Sequence, residues 1–588
     1  MNKISINIYN FNKNYKSKKT KKIDTKNYFI GPWCLNPKNI LEENYKNALN
    51  MYSPKKILKF SKDVDYLIKN YNLILDLICT NLNLVHNKNY SKKFWEILVA
   101  RWLYTWINQV YFRWEYIKKI KKKYNIKKFF STKDSLNNIV PENTEHAHYL
   151  NRTIHQWSES TFYKIMDFQG NLKTELIVIN ENTKLKIDNK FNTIKYPKFA
   201  FYHNSNKIFF YNFELNLKAK IKIFKSLNIF SIKYIGKKKI FNKNDVLREN
   251  FNSLLPNSNK KKFNDFLIKN LKFNIPKIFL ENFSQLEKIY LDSKWPTNPR
   301  YILTSYGQYY EEIFKLYVAS HKIKYPKSKL CILQHGFGNL FYKNDYYNVY
   351  LDRKISDIYL SWGNLKKNNN YPFFYPRKSG SKINKFKFDK LKNILFLTYS
   401  FNGELLNPPD GSKNGNIINL ENSKKIGNLF DLVNSDISKK IFIKNQNINI
   451  YKNFEYSIRK KNDKIKFINE NERFLKIEKN FNLFIHIFFG TPFFECMTLN
   501  KPSIIIYQKN IHPPFDKKFT SYIKRLEEEK ILYYTEKKAA NFLNKNYNNL
   551  EKWWNNKNLQ NLRNMFCKDY CLYTNKEIEI LKKNLKNI

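Results

Sequence analysis

The chain has 588 residues with 42% hydrophobic and 17% aromatic content, too apolar for a disordered protein and too long for one core, so two or three domains are expected. Its 106 Lys and Arg against 49 Asp and Glu give a net charge of +57, which raises a nucleic-acid-binding reading. The lysines run through the whole length beside abundant Asn, Ile, Tyr and Phe and only 13 Gly, the signature of A/T-rich coding rather than of one basic stripe, so the charge by itself favours anionic ligands and anionic surfaces.

Residues 1–28 read as a polar, Lys-rich extension without the apolar centre of a signal peptide. No stretch approaches the ~18–20 apolar residues of a membrane span. The expected location is therefore the cytoplasm, with peripheral contact at the inner face of the cell membrane. The six cysteines, Cys34, Cys79, Cys331, Cys496, Cys567 and Cys571, form no C-x-x-C pair, so buried free thiols are expected.

Phe29 opens a short strand and turn, and helical periods alternate with apolar runs from Tyr45 to Leu84. The clearest helix runs from Phe94 to Lys119, with Trp95, Leu98, Trp102, Trp106, Val110, Trp114 and Ile117 at three- and four-residue steps and no Gly or Pro. It reads as a core helix, on which Arg113 and Glu115 are paired or surface charges. His146 and His148 have H-x-H spacing, with His155 nearby. No carboxylate or Cys cluster accompanies them, so no metal site is expected.

Residues 172–245 alternate as strands and loops, and Ser284–Leu291 reads as a short helix. A strand at Arg300–Ser305, a helix at Tyr310–Ser320 and a strand at Leu330–Leu333 make a βαβ unit with parallel strands. A further strand ends at Trp362-Gly363. Residues 366–390 are polar and Pro-containing, a linker pattern. A second series of strands follows at Asn393–Thr398, Ile441–Lys444, Leu483–Ile487 and Ser503–Tyr507.

Two constellations carry chemistry. Gln334-His335-Gly336-Phe337-Gly338 follows a buried strand, which sets a titratable ring and backbone-exposing glycines at a sheet edge, where open α/β sheets bind ligands. Gly490-Thr491-Pro492 stands between a strand and a helix, with Pro492 suited to the first turn, so the helix N-terminus is placed to receive a phosphate. Glu495, one turn in, is a candidate partner for ribose hydroxyls. Arg300, Arg353 and Lys444 are candidate phosphate partners.

Four stretches together resemble the LIC-type transferases encoded in bacterial surface-carbohydrate gene clusters. They are Gly31-Pro32-Trp33-Cys34, then the Trp95-to-Trp114 helix, and then the segment from Thr304-Ser305 through Gln334-His335-Gly336 to Ser356-Asp357 and Ser361-Trp362-Gly363. The fourth is a C-terminal run of Glu495, Lys501-Pro502-Ser503, Ile531–Thr535, Lys538-Ala539-Ala540 and Trp553-Trp554. The chain departs from that pattern in three places. Phe337 displaces the second glycine to Gly338, the hydroxylic stretch before Glu495 shrinks to Gly490-Thr491-Pro492, and Lys444 stands for a strand-end Arg.

The resemblance implies an α/β fold of two Rossmann-like domains facing a cleft (GT-B-like), with a helical N-terminal portion. It implies an acceptor-side domain at 29–365, the linker at 366–390 and a donor domain at 391–588. The implied activity is transfer of a sugar or polyol-phosphate from a nucleotide-activated donor to a glycan or lipid-linked acceptor, with His335 as the general base on the acceptor hydroxyl or as a hydrogen-bond partner of the donor phosphate. Gly336, Gly338, Gly490, Thr491 and Glu495 would hold the donor, without metal or cofactor. The alternatives are a nucleic-acid-binding protein and a non-catalytic scaffold of a polysaccharide assembly complex.

Overall fold

Ser91 Oγ accepts the N–H of Phe94 and starts a helix that runs Lys92–Lys123, longer at both ends than its apolar spacing predicts. Lys121, Lys122 and Lys123 in the last turn complement its dipole. It is buried on nearly every side, against helices Phe60–His86, Thr144–Thr153, His155–Phe168 and Glu312–Lys324. Arg113 is internal to it, donating to Ser158 Oγ and the Gln109 side chain, and Glu115 pairs with Lys118 at 2.8 Å. A buried Lys315 stitches this bundle to the rest, donating to the Leu98 carbonyl at 2.9 Å and pairing with Glu312 at 2.6 Å.

The structure is a computed structural model that describes residues 3–7, 27–31, 60–132, 139–170, 173–177, 191, 193–203, 207–239, 244–257, 260, 262–336, 341–343, 347–364, 370–377, 383–399, 415–446, 458, 465–469, 471–507 and 515–586. Gly338, most of the N-terminal extension, Pro32-Trp33-Cys34 and parts of the 366–390 segment lie outside the described residues.

A small parallel sheet at the N-terminus contains β1 (Lys3–Asn7), β2 (Asn27–Phe29), β3 (Asn125–Thr132) and β4 (Lys173–Ile177) in the order β2-β1-β3-β4. Next come β5 (Thr193–His203), β6 (Ile208–Phe210) and β7 (Phe230–Lys239); β5 and β7 pair antiparallel as a ribbon. Between β6 and β7 lies the helix Leu217–Ser226, which the alternating pattern of 172–245 hides.

β6 joins the first large sheet with β8 (Tyr301–Thr304), β9 (Lys329–Leu333), β10 (Ile358–Trp362) and β11 (Asn370–Phe373), in the order β11-β10-β9-β8-β6 and parallel throughout. The expected βαβ unit is present as β8, the helix Glu312–Lys324 and β9. β11 lies within the stretch that reads as a linker: Tyr371, Pro372 and Phe373 find a partner in β10, which local polarity does not reveal.

The second large sheet is also parallel: β12 (Asn393–Tyr399), β13 (Ile441–Gln446), β14 (Lys466–Phe467), β15 (Phe481–His486), β16 (Ser503–Ile506) and β17 (Leu532–Tyr533), in the order β14-β13-β12-β15-β16-β17. The molecule is thus α/β, with two parallel sheets flanked by helices and a helical N-terminal portion.

The halves interlock. Phe341 stacks on Phe519 at 4.5 Å and on Phe494 at 5.9 Å, and Tyr342 bridges to Phe515. In the other direction, the helix Lys557–Tyr570 returns to the first sheet, where the Asn364 N–H donates to the Lys568 carbonyl and the Tyr375 N–H to that of Leu572. The last helix, Glu577–Lys586, packs on β11 and on Leu217–Ser226 rather than on the sheet that precedes it in sequence, and Asn584 holds the Pro372 carbonyl at 2.8 Å. Among the described residues no helix is long and apolar enough to cross a membrane. Cys79, Cys331, Cys496, Cys567 and Cys571 are buried and free.

Candidate active site

Every strand of the first sheet is parallel, so the turns after β6, β8, β9, β10 and β11 share one edge. His335 and Gly336 occupy the turn after β9. Gln334 fixes it: its backbone N–H donates to the Leu360 carbonyl (2.8 Å), its Oε1 accepts the Trp362 N–H (2.8 Å), and its Nε2 donates to the Gly336 carbonyl (3.1 Å). Gly336 has φ of +71°, a left-handed turn that L side chains resist. The His335 side chain remains 39% exposed, with the rings of Tyr306 and Tyr309 at 5.7 and 6.2 Å. Trp362 is buried and meets Tyr375 edge-on at 4.9 Å, so it packs behind the turn.

The turn after β6 brings Glu214 to the same edge. Its N–H donates to Ser305 Oγ at 2.7 Å, and its Oε2 stands 3.3 Å from His335 Nδ1. The turn after β11 brings Tyr375 and Arg377. Arg377 Nε donates to Glu214 Oε1 at 2.6 Å, and its Nη1 donates to Glu495 Oε1 at 3.0 Å. The Tyr375 hydroxyl donates to the same Glu495 oxygen at 2.6 Å.

From the second sheet, the turn after β15 supplies Gly490 and Thr491 at the start of the helix Thr491–Thr498, with Pro492 in its first turn as expected. The Phe493 N–H returns to the Gly490 carbonyl at 2.9 Å and Pro492 has no N–H, so this turn offers an anion chiefly the Thr491 N–H and hydroxyl. The two turns meet: a Cβ placed on Gly336 would lie 3.6 Å from Thr491 Oγ1.

The charges are strongly conditioned by their neighbours. Burial alone would raise Glu214, but His335 and Arg377 outweigh it and hold the carboxyl below the usual range. Glu495 is more deeply buried, which keeps its carboxyl raised despite Arg377 and Tyr375. Burial lowers the Arg377 guanidinium, yet Glu214, Tyr375 and Glu495 reverse the sign and raise it. Behind Tyr309, burial lifts Asp352 to about 6 against the hydrogen bonds from Gln308 and Tyr309 and the charge of Arg101.

The structure therefore brings together His335, Gly336, Gly490, Thr491 and Glu495, from distant parts of the sequence. Glu495 is 3% exposed and committed through Oε1 to Tyr375 and Arg377. Lys444 sits near the C-terminal end of β13, in register with Leu397, and its Nζ donates to the Asn469 carbonyl at 3.3 Å. Arg300 is not brought to this place: it precedes β8, and in a parallel sheet the strand starts lie at the edge opposite the strand ends. Arg353, in the last turn of the helix Tyr347–Ile355 that leads into β10, lies toward that same far edge. His146 is a structural acceptor, taking the Glu142 N–H on Nδ1 at 3.1 Å, and among the described residues no three His, Cys, Asp or Glu side chains gather as a metal-ligand set.

Sequence reasoning missed Glu214, Tyr375 and Arg377. The available signal was slight: Phe209-Phe210-Tyr211 and Tyr371–Phe374 are short apolar runs that each deliver polar residues into a turn, as Leu330–Leu333 delivers His335.

A family model described as LIC12162 family transferase matches residues 15–585. No curated protein matches the chain. Among solved structures, the wall teichoic acid polymerase TagF soaked with CDPG aligns at TM-score 0.31 and 10% identity, over 53% of this chain and 76% of that one. A second TagF structure gives 0.26 at 11% identity with the same coverage. MurG of Acinetobacter baumannii gives 0.27 at 10% identity, over 52% of this chain and 77% of that one.

Proposed function

Because the chain belongs to the LIC12162 transferase family, we propose that it moves a sugar or polyol-phosphate from a nucleotide-activated donor to a surface-polysaccharide acceptor, glycan or lipid-linked, at the cytoplasmic face of the membrane. The observation that carries this reading is the meeting of the His335-Gly336 turn of the first sheet with the Gly490-Thr491 turn of the second. The turn that carries the half-exposed His335 ring abuts the start of the helix Thr491–Thr498, an end whose N–H groups and dipole favour an anion.

In the reaction the acceptor hydroxyl loses its proton to His335 as its oxygen bonds to the transferred group. The bond to the donor phosphate breaks, and its electron pair leaves with the nucleotide. General-base assistance of this kind supplies ~10²–10⁴-fold. The Thr491 N–H and hydroxyl and the dipole of Thr491–Thr498 face the leaving charge. Gly336 lets the backbone approach the donor, and Glu495 acts on it only by holding Arg377 and Tyr375 in place.

The test is a panel of nucleotide-sugars and nucleotide-polyols against the purified full chain, read by thermal shift and by release of free nucleotide. A donor at 100 times its Kd adds about 2.7 kcal/mol of stability. At least one donor should raise the melting temperature, and His335→Ala should lower turnover by ~10²–10⁴-fold while retaining that shift. No shift with any donor, or full turnover by the variant, overturns the reading.

A further inference from the structure

We infer that Glu214 is the positioning residue of His335, holding the proton on Nδ1 so that Nε2 is the atom that accepts the proton of the acceptor. This rests on His335 being the base.

Glu214 is set for the task by four contacts that involve no ligand. Its N–H is fixed on Ser305 Oγ at 2.7 Å, and its loop is closed by Asn216, whose N–H and Nδ2 both donate to the Pro376 carbonyl. Arg377 occupies Oε1 at 2.6 Å. Oε2 is buried, meets no aligned hydrogen-bond donor among the described residues, and stands 3.3 Å from His335 Nδ1. That spacing is an ion pair once the ring is protonated, and a small rotation of the half-exposed ring makes it a hydrogen bond.

The two carboxylate oxygens thus divide between two partners. Since Arg377 also grips Glu495 on Thr491–Thr498, the carboxylate that orients the base is tied to the helix beside the donor phosphate. Among the described residues the ring's other titratable neighbours are Tyr306, tilted at 5.7 Å, Tyr309, edge-on at 6.2 Å, and Asp352 behind Tyr309. None of these presents an acceptor to Nδ1 among the described residues, so Glu214 sets the tautomer. When Nε2 takes the acceptor proton, the O–H bond breaks, the ring becomes a cation, and its Nδ1–H faces the Glu214 anion, which stabilises that charge.

The experiment is long-range ¹H–¹⁵N correlation on the ¹⁵N-His-labelled full chain, with the His335 signals identified by their loss in His335→Gln. The wild-type ring should carry its proton on Nδ1. Glu214→Gln should populate the Nε2–H form and lower kcat by ~10²-fold with the donor KM unchanged. Glu214→Asp should restore part of both.

A wild-type ring protonated on Nε2 overturns the inference even if no Glu214 variant folds. So does a Glu214→Gln protein that loses stability but keeps the wild-type tautomer and turnover. Absence of turnover in the wild type, by contrast, strikes only the proposed reaction, because the tautomer is still read.

Discussion

Thr491 Oγ1 stands 3.6 Å from the point that a Cβ on Gly336 would occupy. A turn of each large sheet therefore lies within van der Waals reach of the other, and 3.6 Å leaves room for a methyl group. The difficulty for Gly336→Ala is the backbone: φ is +71°, where an L residue is strained by about 1–2 kcal/mol. Gly336→Ala should lose that much stability, and Gly336→Asn, which tolerates the left-handed region better, should lose less. Urea midpoints compare the three proteins, and an alanine variant as stable as wild type would show that the turn does not need this φ.

Gly363→Ala should be far worse, for a steric reason. A Cβ there would sit 2.3 Å from the carbonyl oxygen of Asp569 and 2.7 Å from the Tyr570 nitrogen, and φ is +132°. The obstacle is backbone, so the helix Lys557–Tyr570 must shift off the end of β10. We expect a loss of about 3 kcal/mol or more. Limited proteolysis should then cut near residue 557 in the variant under conditions that leave the wild type intact. Equal resistance would mean that this helix is not clamped on the first sheet.

The strands with continuous apolar runs are the ones legible in the sequence. Leu330–Leu333 and Leu483–Ile487 are buried on both faces, so hydrophobicity alone marks them, and each shows where its chain turns toward the cleft. β6 and β11 have three and four residues and are edge strands, whose identity comes from β8 and β10 rather than from their own composition. Glu214 and Arg377 follow those two strands, which is why they were invisible. Arg300 shows the opposite error: it opens the first strand of the parallel βαβ unit, and parallel strands put that start at the edge far from the turn that carries His335.

Arg377 is the one side chain among the described residues seen to hold Glu214 and Glu495 together. Its side chain is 31% exposed, so screening reduces what a fully buried pair would give, and Arg377→Ala should cost about 1–3 kcal/mol. Arg377→Lys should recover only part of this, because one ammonium does not reproduce a planar fork that serves two carboxylates. A double-mutant cycle with Glu495→Gln should return a coupling of at least about 0.5 kcal/mol. Additive losses would show that the bridge contributes nothing to stability.

Acid sensitivity follows from buried histidines. The His146 ring stacks on Phe191 at 4.6 Å with Nδ1 on the Glu142 N–H, and burial, helped by Lys277, lowers it from 6.5 to about 4. Between those values the unfolded chain is protonated and the folded chain is not. Its contribution is therefore complete above pH 6.5 and is lost as pH falls, by about 3 kcal/mol at the end of the window. His486, pushed by burial to about 3, acts with the same sign. Asp352 opposes them: burial raises it to about 6, so its contribution is full below 3.8 and is lost as pH rises through 6. His86 and His321, lowered by burial, add to the fall, while the raised carboxyls of Glu281 and Glu495 act with Asp352; with four lowered rings against three raised carboxyls, urea midpoints should fall from pH 7 to pH 4.5. His146→Gln keeps an oxygen for the Glu142 N–H but does not titrate, and should remove about 2–3 kcal/mol of that fall. An unchanged fall in this variant would mean that the ring takes up its proton in the folded protein.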